Sequence, residues 1–143
     1  MVNNIELQLV TPSALVMSEE VEMVVVPGSE GDLGVLPSHS PLIATLRPGM
    51  VNIYEGGKSK QKKFIGGGFC EIQPERCVIL ADEVLDENEI TRALADDRLA
   101  KAKKALEQTV AHAENFREVK EAQKILAVAK ELIVAAEAFE KRG

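Results

Sequence analysis

Few side chains in this sequence have the types and spacing that catalysis or metal binding requires. His39 falls in a predicted loop and His112 at a predicted helix end, and no Cys/His/Asp spacing resembles a zinc or transition-metal site. The tripeptide Gly57-Lys58-Ser59 resembles the end of a phosphate-binding loop, but Asn52 stands where that motif needs a glycine, and strand-like residues follow. We therefore expect no enzyme activity, no metal and no resident cofactor, and we predict a hairpin turn at Gly57.

Two further clusters indicate structure rather than chemistry. Gly66-Gly67-Gly68 lacks the spaced glycines and the following helix of a dinucleotide site, so it predicts a β-bulge or a close backbone approach. Cys70 and Cys77 fall in predicted neighbouring strands. Without a secretory context, a single pair of cysteines favours free thiols over a disulfide.

Charge and hydropathy argue against two kinds of direct partner. The chain carries 17 basic and 23 acidic side chains, and the acidic excess lies in residues 1–86, which hold six basic against twelve acidic groups. Such a chain does not favour nucleic acid. No apolar run approaches the roughly 20 residues needed to cross a bilayer, and the start, MVNNIELQLV, lacks the basic residues and cleavage site of an export signal. We expect a soluble, cytosolic chain.

The first 85 residues have the hydrophobic pattern of β-strands. Apolar residues recur at period two or in short β-branched runs, and turn residues such as Pro48-Gly49 separate them about every 8 to 12 positions. This pattern predicts an antiparallel β-sandwich or flattened barrel over residues 1–85. The predicted strands are residues 5–9, 21–26, 42–46, 50–54, 62–65, 69–72 and 77–80.

From Asp86 the apolar spacing becomes helical, which predicts a second domain over residues 86–143 and an α+β chain. Asp86 and Glu89 have the spacing of a capping box, in which each side chain accepts a hydrogen bond from an amide near the other. Leu85 and Ile90 have the spacing of a hydrophobic staple. The sequence therefore predicts that the first helix begins at Asp86.

A second start signal, Asn115 with Glu118 three residues later, predicts a second helix. Both helices have an apolar stripe at spacings of three and four, so with a short link they form an antiparallel hairpin. The larger side chains expected in its core are Leu99, Leu106, Val110, Val119, Leu126 and Ile133, with Ile125, Leu132 and Phe139 widening the stripe of the second helix.

Alanine occupies most of the other stripe positions in both helices. An alanine methyl removes little apolar area from water, at roughly 0.8 kcal/mol per buried carbon, so the hairpin is expected to close weakly. Weak closure would let the hairpin act as a conformational switch. A static hairpin packed on the sandwich is equally compatible with the periodicity.

A glycine- and proline-rich segment, residues 27–50, has the sequence PGSEGDLGVLPSHSPLIATLRPGM. It closely resembles the signature region of the epsilon subunit of bacterial and chloroplast F-type ATP synthase, which has GSEG(E/D)LG, P-x-H-x-P-L and PGM in that order. The start LQLVTPSALVMSEEV, a GGGF-x-E sequence at residues 66–71, an ILAD-like strand end at residues 79–82 and two final helices follow the order of that family. The resemblance covers nearly the whole chain.

The resemblance implies a non-catalytic rotor subunit of the proton-translocating ATP synthase. Such a subunit is peripheral on the cytoplasmic face of the bacterial plasma (inner) membrane and meets the membrane only through the complex. Its sandwich joins the gamma subunit of the central stalk to the c-ring of the membrane sector. Asp32, with Glu30 beside it, matches the acidic loop that meets the polar c-ring loops, and His39 matches the histidine at the gamma contact.

The resemblance also implies that the helical hairpin can extend and restrain ATP hydrolysis. In the extended state it reaches the alpha and beta catalytic subunits. The basic residues Arg117, Lys120 and Lys124 would then face an acidic segment of a catalytic subunit.

Some family members bind ATP through a sequence of the form (I/L)DxxRA in the first helix, and that motif is incomplete in this chain. When the first position of the motif is aligned with Ile90, Thr91 stands at the position of the motif's aspartate. When it is aligned with Leu94, Arg98 matches the motif's arginine, but the aspartate is again missing. Two alternatives to the rotor subunit remain open. One is a nucleotide-binding sensor in which ATP closes the hairpin, and the other is an unrelated adaptor built from a sandwich and a hairpin.

Overall fold

The computed structural model describes residues 4–141 of the chain. These residues fall into two compact units that divide between Glu87 and Asn88. The first unit is built of β-strands and the second of two α-helices, so the chain has the α+β class that its hydrophobic periods predict. Within residues 4–141, neither helix has the length and apolar character of a membrane span.

Residues 4–87 of the first unit contain eight strands. They are β1 (Ile5–Thr11), β2 (Ala14–Val21), β3 (Met23–Gly28), β4 (Gly31–Val35), β5 (Leu42–Glu55), β6 (Lys58–Ile72), β7 (Arg76–Ala81) and β8 (Val84–Asp86). Their hydrogen-bonded order is β2-β1-β7-β6-β5-β3-β4, with β8 added to β6. The sheet folds over a single hydrophobic core to make a sandwich.

Two details of the strand pairing differ from the predicted architecture. The sheet is not a closed barrel, because β2 and β4 end the order and do not pair with each other. The sheet is also not wholly antiparallel, since β1 and β7 run parallel, with Leu7 opposite Cys77 and Leu9 opposite Ile79. Five strands separate β1 from β7 along the chain, so local periodicity does not report their relative direction.

The core of the sandwich follows the period-two alternation of the strands. In β1 the apolar residues point inward while Glu6 and Gln8 between them are only half-buried. The buried cluster contains Ile5, Leu7, Leu9, Met17, Val21, Val24, Val26, Val35, Leu46, Val51, Ile53, Ile65, Cys70, Ile72, Cys77, Ile79 and Ala81. No polar or charged side chain of residues 4–141 is buried.

The strand boundaries predicted from turn residues are partly wrong. Pro48-Gly49 and the triple glycine were expected to end strands, yet both lie inside long strands, where Pro48 pairs with Gly66 and Gly49 with Ile65. The segments predicted at residues 42–46 and 50–54 are therefore one strand, β5. Those predicted at residues 62–65 and 69–72 are also one strand, β6. Strands β2 and β4 were missed because most of their positions are exposed and do not alternate between apolar and polar, and β8 was missed because it has only three residues.

The predicted hairpin turn at Gly57 is confirmed. Gly56 and Gly57 adopt φ of 62° and 74° and connect β5 to β6, with Glu55 opposite Lys58. These left-handed angles are those of a two-residue hairpin turn and cost glycine little.

The predicted close backbone approach at the triple glycine is also confirmed. Gly68 has φ of 146°, and a Cβ added there would lie 2.0 Å from the carbonyl oxygen of Leu80 on β7. Only a residue without a side chain lets β6 and β7 pair at this point.

The two cysteines lie in these same paired strands. Both Cys70 and Cys77 are buried free thiols, with Sγ atoms 3.4 Å apart. Contact with the Cys70 sulfur, together with burial, raises the pKa of the Cys77 thiol, because the thiolate would lose its water. Cys77 therefore stays protonated in the folded sandwich.

The second unit holds helices α1 (Arg92–His112) and α2 (Phe116–Glu140), which pack along each other. The first helix does not begin at Asp86 as predicted. Asp86 ends β8, Glu87–Glu89 form a 3-10 turn, and the N-cap is Thr91, whose hydroxyl accepts from the Leu94 amide at 3.1 Å. The capping-box spacing at Asp86 was misleading because Asp86 is held in the sheet by its pairing with Lys63.

The predicted start of the second helix is confirmed. Asn115 is the N-cap of α2, and its side-chain oxygen accepts from the Glu118 amide at 3.1 Å. The Glu118 carboxylate reaches back to the Glu114 amide at 3.3 Å, one residue earlier than a standard capping box. The three-residue link that results makes α1 and α2 an antiparallel pair.

Alanines rather than the larger residues are the most buried side chains of the helices. The buried set is Ala95, Ala102, Ala122, Ala129, Leu132, Ala135 and Ala136. Of the larger residues expected in the hairpin core, Leu99, Leu106, Val119, Leu126 and Ile133 are half-buried. Val110 and Ile125 are 61% and 56% exposed, so their assignment to the core is wrong. Small side chains therefore fill most of the buried positions of the two helices, and most of the bulkier stripe positions are only half-buried.

Salt bridges join the open ends of the two helices. The Arg92 guanidinium at the start of α1 lies 3.4 Å from the Glu137 carboxylate and 3.8 Å from that of Glu140, both near the end of α2. Arg92 also pairs with Asp96 at 3.0 Å within its own helix. The hydrogen bond to Asp96 and the surrounding acids raise the pKa of Arg92, so it remains a cation that links the helix ends.

Candidate functional site

The acidic loop of the sequence forms the tip of the β3–β4 hairpin. Gly28 pairs with Gly31, which leaves Ser29 and Glu30 as the two turn residues. Glu30 and Asp32 are both exposed. The Ser29 amide donates to the Thr45 carbonyl at 2.8 Å, and this bond fixes the tip to β5. The tip is thus a small acidic projection on a rigid strand pair.

Arg47 on β5 holds the same tip from the side. Its Nη1 donates to the Gly28 carbonyl at 2.5 Å, and its Nη2 donates to Asp32 Oδ1 at 2.6 Å. A planar guanidinium suits two such acceptors because its N–H groups diverge in one plane. Asp32 is therefore already paired within the chain, whereas Glu30 makes no hydrogen bond or ion pair to another described residue.

The loop that carries His39 is a tight turn rather than a catalytic pocket. The His39 amide donates to the Leu36 carbonyl at 3.2 Å, and the Ser38 amide donates to the Pro74 carbonyl at 2.7 Å. Nδ1 of His39 donates to the Ser40 carbonyl at 2.7 Å, which orients the ring. Ser38 has a left-handed φ of 70°. These contacts hold the half-buried His39 against the β6–β7 turn.

The outward face of the sheet carries an exposed apolar row. In the strand register, Thr45 lies opposite Phe69, Phe69 opposite Leu80, Leu80 opposite Val10, and Val10 opposite Leu15. Phe69, Leu80 and Leu15 are 56%, 50% and 59% exposed. We call Leu15, Val10, Leu80 and Phe69 the outer apolar row. A contiguous apolar surface of this kind is typical of a protein–protein contact.

The basic residues predicted to contact a catalytic subunit lie together on α2. Arg117, Lys120 and Lys124 are spaced by three and four residues, which places them on one exposed face, with Glu121 and Gln123 beside them. The face is mixed in charge rather than purely basic.

The two residues of the incomplete ATP motif lie on either side of the α1 N-cap. Ile90 is buried just before α1, while Arg98 is half-buried two turns into that helix. Thr91, which replaces the motif's acid, serves as the N-cap of α1. The threonine therefore has a structural role in this chain.

The family described as "ATP synthase, Delta/Epsilon chain, beta-sandwich domain" matches residues 4–87, which are the whole strand unit. An ATP synthase epsilon chain of Rhodospirillum rubrum is 41% identical over 135 residues, covering 94% of this chain and 98% of the relative. This chain belongs to the ATP synthase epsilon chain family. An epsilon chain of Paramagnetospirillum magneticum is 40% identical with the same coverage. The chain is thus a non-catalytic subunit of a bacterial type of ATP synthase.

Two solved structures have the same fold. One is a chain of the Euglena gracilis mitochondrial ATP synthase, from a structure of OSCP, F1 and c-ring. It matches with a TM-score of 0.73 and 24% identity, and the match spans 94% of this chain and 82% of the Euglena chain. A chain of the Tetrahymena thermophila mitochondrial ATP synthase central stalk and c-ring matches with a TM-score of 0.62 and 14% identity, covering 92% and 96%. Because both identities are below 25%, the likeness to these two chains shows a shared fold and nothing more.

The sequence did not predict Arg47 or Thr91. Arg47 lies directly before Pro48-Gly49 and far from Asp32 in sequence. Its pairing with Asp32 depends on the β3–β5 register, which the sequence pattern does not report. Thr91 was a recognisable signal, since a threonine before a helical run is a favoured N-cap. The stronger capping-box spacing at Asp86 obscured it.

Proposed function

We propose that this chain is a rotor subunit of a bacterial proton-translocating ATP synthase, in which the sandwich connects the central stalk to the c-ring and the helices regulate ATP hydrolysis. The observation that carries this proposal is the division of the chain into a rigid sandwich with exposed contact surfaces and a separate helical unit. Family membership and the central-stalk and c-ring assemblies of the matching structures support it.

The outer apolar row is the proposed contact with the gamma subunit. Its exposed phenylalanine and leucine side chains offer apolar area that an isolated sandwich leaves in water, and their burial against a partner would stabilise a lasting complex. The His39 loop is a second proposed gamma contact. Its backbone hydrogen bond from Ser38 to Pro74 links the loop to the β6–β7 turn and provides stiffness that transmission of torque needs.

The β3–β4 tip is the proposed contact with the c-ring. Glu30 and Asp32 give it an acidic, exposed surface suited to polar loops that carry amide or cationic groups. The chain would then be a peripheral protein on the cytoplasmic face of the bacterial inner membrane and would meet the membrane only through the complex.

The helical unit is the proposed regulator. Most of the buried side chains of α1 and α2 are alanines, which provide little apolar area per residue, and exposed salt bridges join the helix ends. Such a hairpin opens at modest free-energy cost. An extended α2 would bring the face of Arg117, Lys120 and Lys124 towards the alpha and beta catalytic subunits, where it would restrain hydrolysis.

The test is a titration of an F1 complex that lacks its own epsilon chain. We expect the full chain and a version ending at Glu87 to compete for the same site with similar affinity, because the proposed gamma contacts lie in the sandwich. Only the full chain should slow ATP hydrolysis. If neither version binds, the rotor role is wrong; if both slow hydrolysis equally, the regulatory role of the helices is wrong.

A further inference from the structure

The β3–β4 tip carries two acids in different surroundings. Asp32 is paired with the Arg47 guanidinium at 2.6 Å, whereas Glu30 is a turn residue whose side chain is exposed. A partner that contacted Asp32 directly would first have to compete with Arg47. The two acids are therefore not equivalent as contact residues.

The position of Arg47 explains how it acts on the tip. Arg47 belongs to β5, while its two acceptors, the Gly28 carbonyl and the Asp32 carboxylate, lie at the end of β3 and on β4. One guanidinium thus joins three strands. The Ser29–Thr45 backbone bond adds a second link between the turn and β5.

We propose that Arg47 is a positioning residue that fixes the tip of residues 28–32 through Asp32, so that Glu30 is the acid that meets the polar loops of the c-ring. This inference rests on the proposed function, since the c-ring contact belongs to it. Asp32 contributes to that contact through Arg47. A lysine at position 47 would keep the charge but could not bond two acceptors in one plane.

The first experiment is a double-mutant cycle on the full chain. Affinity is measured for an ATP synthase stripped of its epsilon chain, once with the c-ring present and once as F1 alone. We expect Arg47→Gln and Asp32→Asn each to weaken binding to the ring-containing complex about fivefold, as for a partly exposed charge pair. The double variant should also lose about fivefold, because both substitutions break one interaction.

Three comparisons make the cycle specific. Glu30→Gln should weaken ring-dependent binding in the wild-type chain and add little in Arg47→Gln, where the tip is already unfixed. Lys60→Gln is the matched control, since it removes a cation from the Lys60–Glu55 pair between β5 and β6 without touching the tip. All variants should bind F1 alone with unchanged affinity.

The second experiment detects the positioning itself in the free chain. Backbone ¹⁵N relaxation of Ser29, Glu30 and Gly31 should show faster, wider motion in Arg47→Gln, Arg47→Lys and Asp32→Asn than in the wild-type chain. The remaining sandwich amides should not change. Lys60→Gln should leave the tip as rigid as in the wild-type chain.

The outcomes separate this inference from the proposed function. An additive cycle, in which the double variant loses about 25-fold, would mean that Asp32 contacts the ring independently and would overturn the inference. An unchanged tip in the relaxation data would also overturn it. If the wild-type chain binds neither complex, the proposed function fails, and with it the role of Glu30 as a ring contact.

Discussion

Gly68 is the residue at which the sandwich tolerates least change. Its missing side chain lets the β6 backbone approach the Leu80 carbonyl, and its φ of 146° is closed to other residues. We expect Gly68→Ala to lower the free energy of unfolding by about 3 kcal/mol or more, because β6 and β7 must separate. Chemical denaturation followed by the fluorescence of Tyr54, the one tyrosine in a chain without tryptophan, reports on this unit.

The matched control is Gly34→Ala. Gly34 lies exposed in β4, and a Cβ added there meets no heavy atom within 4 Å. We expect a change below about 1 kcal/mol. Equal losses from the two substitutions would contradict the close approach at Gly68.

The two thiols provide a second test at the residue scale. Cys70 and Cys77 have no exposed surface, and the pKa of Cys77 is raised by the Cys70 contact and by burial. We expect a thiol reagent at pH 8 to modify the folded chain at least about a hundredfold more slowly than the chain in denaturant, because reaction requires opening of the sandwich. Rapid modification of the folded chain would show that β6 and β7 separate easily.

The raised pKa also gives the direction of a pH effect. The folded sandwich retains the Cys77 proton at pH values where the unfolded thiol, with a pKa of about 8.5, loses it. The stabilisation is therefore complete below that pH and declines as the pH rises above it. Replacing Cys77 by alanine should remove this part of the pH dependence in the unfolding measurement.

At the scale of elements, the start of α1 separates two capping schemes. We expect Thr91→Ala to cost the helical unit about 1 kcal/mol, since the amide of Leu94 loses its acceptor, and Asn115→Ala to cost a similar amount at α2. Thermal unfolding followed by circular dichroism at 222 nm measures both. Thr91→Ser should restore the cap.

Asp86→Ala is the informative control for these caps. Asp86 lies in β8 and pairs with Lys63, so its loss should leave the helical signal and its melting unchanged. A drop in helicity as large as that of Thr91→Ala would support the capping box at Asp86 instead.

The buried alanines of α1 and α2 predict how a larger side chain would change the stability of the helical unit. Ala129 is 2% exposed, and we expect Ala129→Leu to destabilise the helical unit by about 1–3 kcal/mol through overpacking. The intrinsic helix propensity hardly changes, because leucine is also a strong helix former. Ala127→Leu, at an exposed position of the same helix, should leave thermal unfolding nearly unchanged and serves as the control.

At the scale of the whole molecule, the outer apolar row should contribute to assembly more than to folding. Phe69 is 56% exposed in the free chain, so Phe69→Gln should change the unfolding free energy by less than about 1 kcal/mol. Binding to F1 lacking its epsilon chain should weaken at least about tenfold, as for an aromatic residue in the centre of an interface. Isothermal titration calorimetry measures this loss.

Val134→Gln provides the comparison for that experiment. Val134 is 58% exposed on α2, outside the sandwich that carries the proposed gamma contacts. We expect the affinity of this variant for F1 to stay within about twofold of that of the wild-type chain. Equal losses from Phe69→Gln and Val134→Gln would mean that the outer apolar row is not the specific contact.

The sequence by itself determined the fold class and the family. Period-two and helical spacings are local, because each strand or helix must turn one face to the core, and they identify a β unit followed by two helices. The segment of residues 27–50 identified the family because its glycines and prolines fix backbone angles at set positions. Gly57 and Asn115 were predicted correctly since a hairpin turn and an N-cap depend on a few neighbouring residues.

Tertiary structure decided the features that depend on residues far apart in sequence. The parallel pairing of β1 with β7, the passage of β5 and β6 through Pro48-Gly49 and the triple glycine, and the placement of Asp86 in the sheet all follow from hydrogen bonds to distant strands. Arg47 reaches Asp32 only because the strand register sets β5 beside the β3–β4 hairpin. Local pattern cannot encode such contacts, since their partners are chosen when the whole core closes.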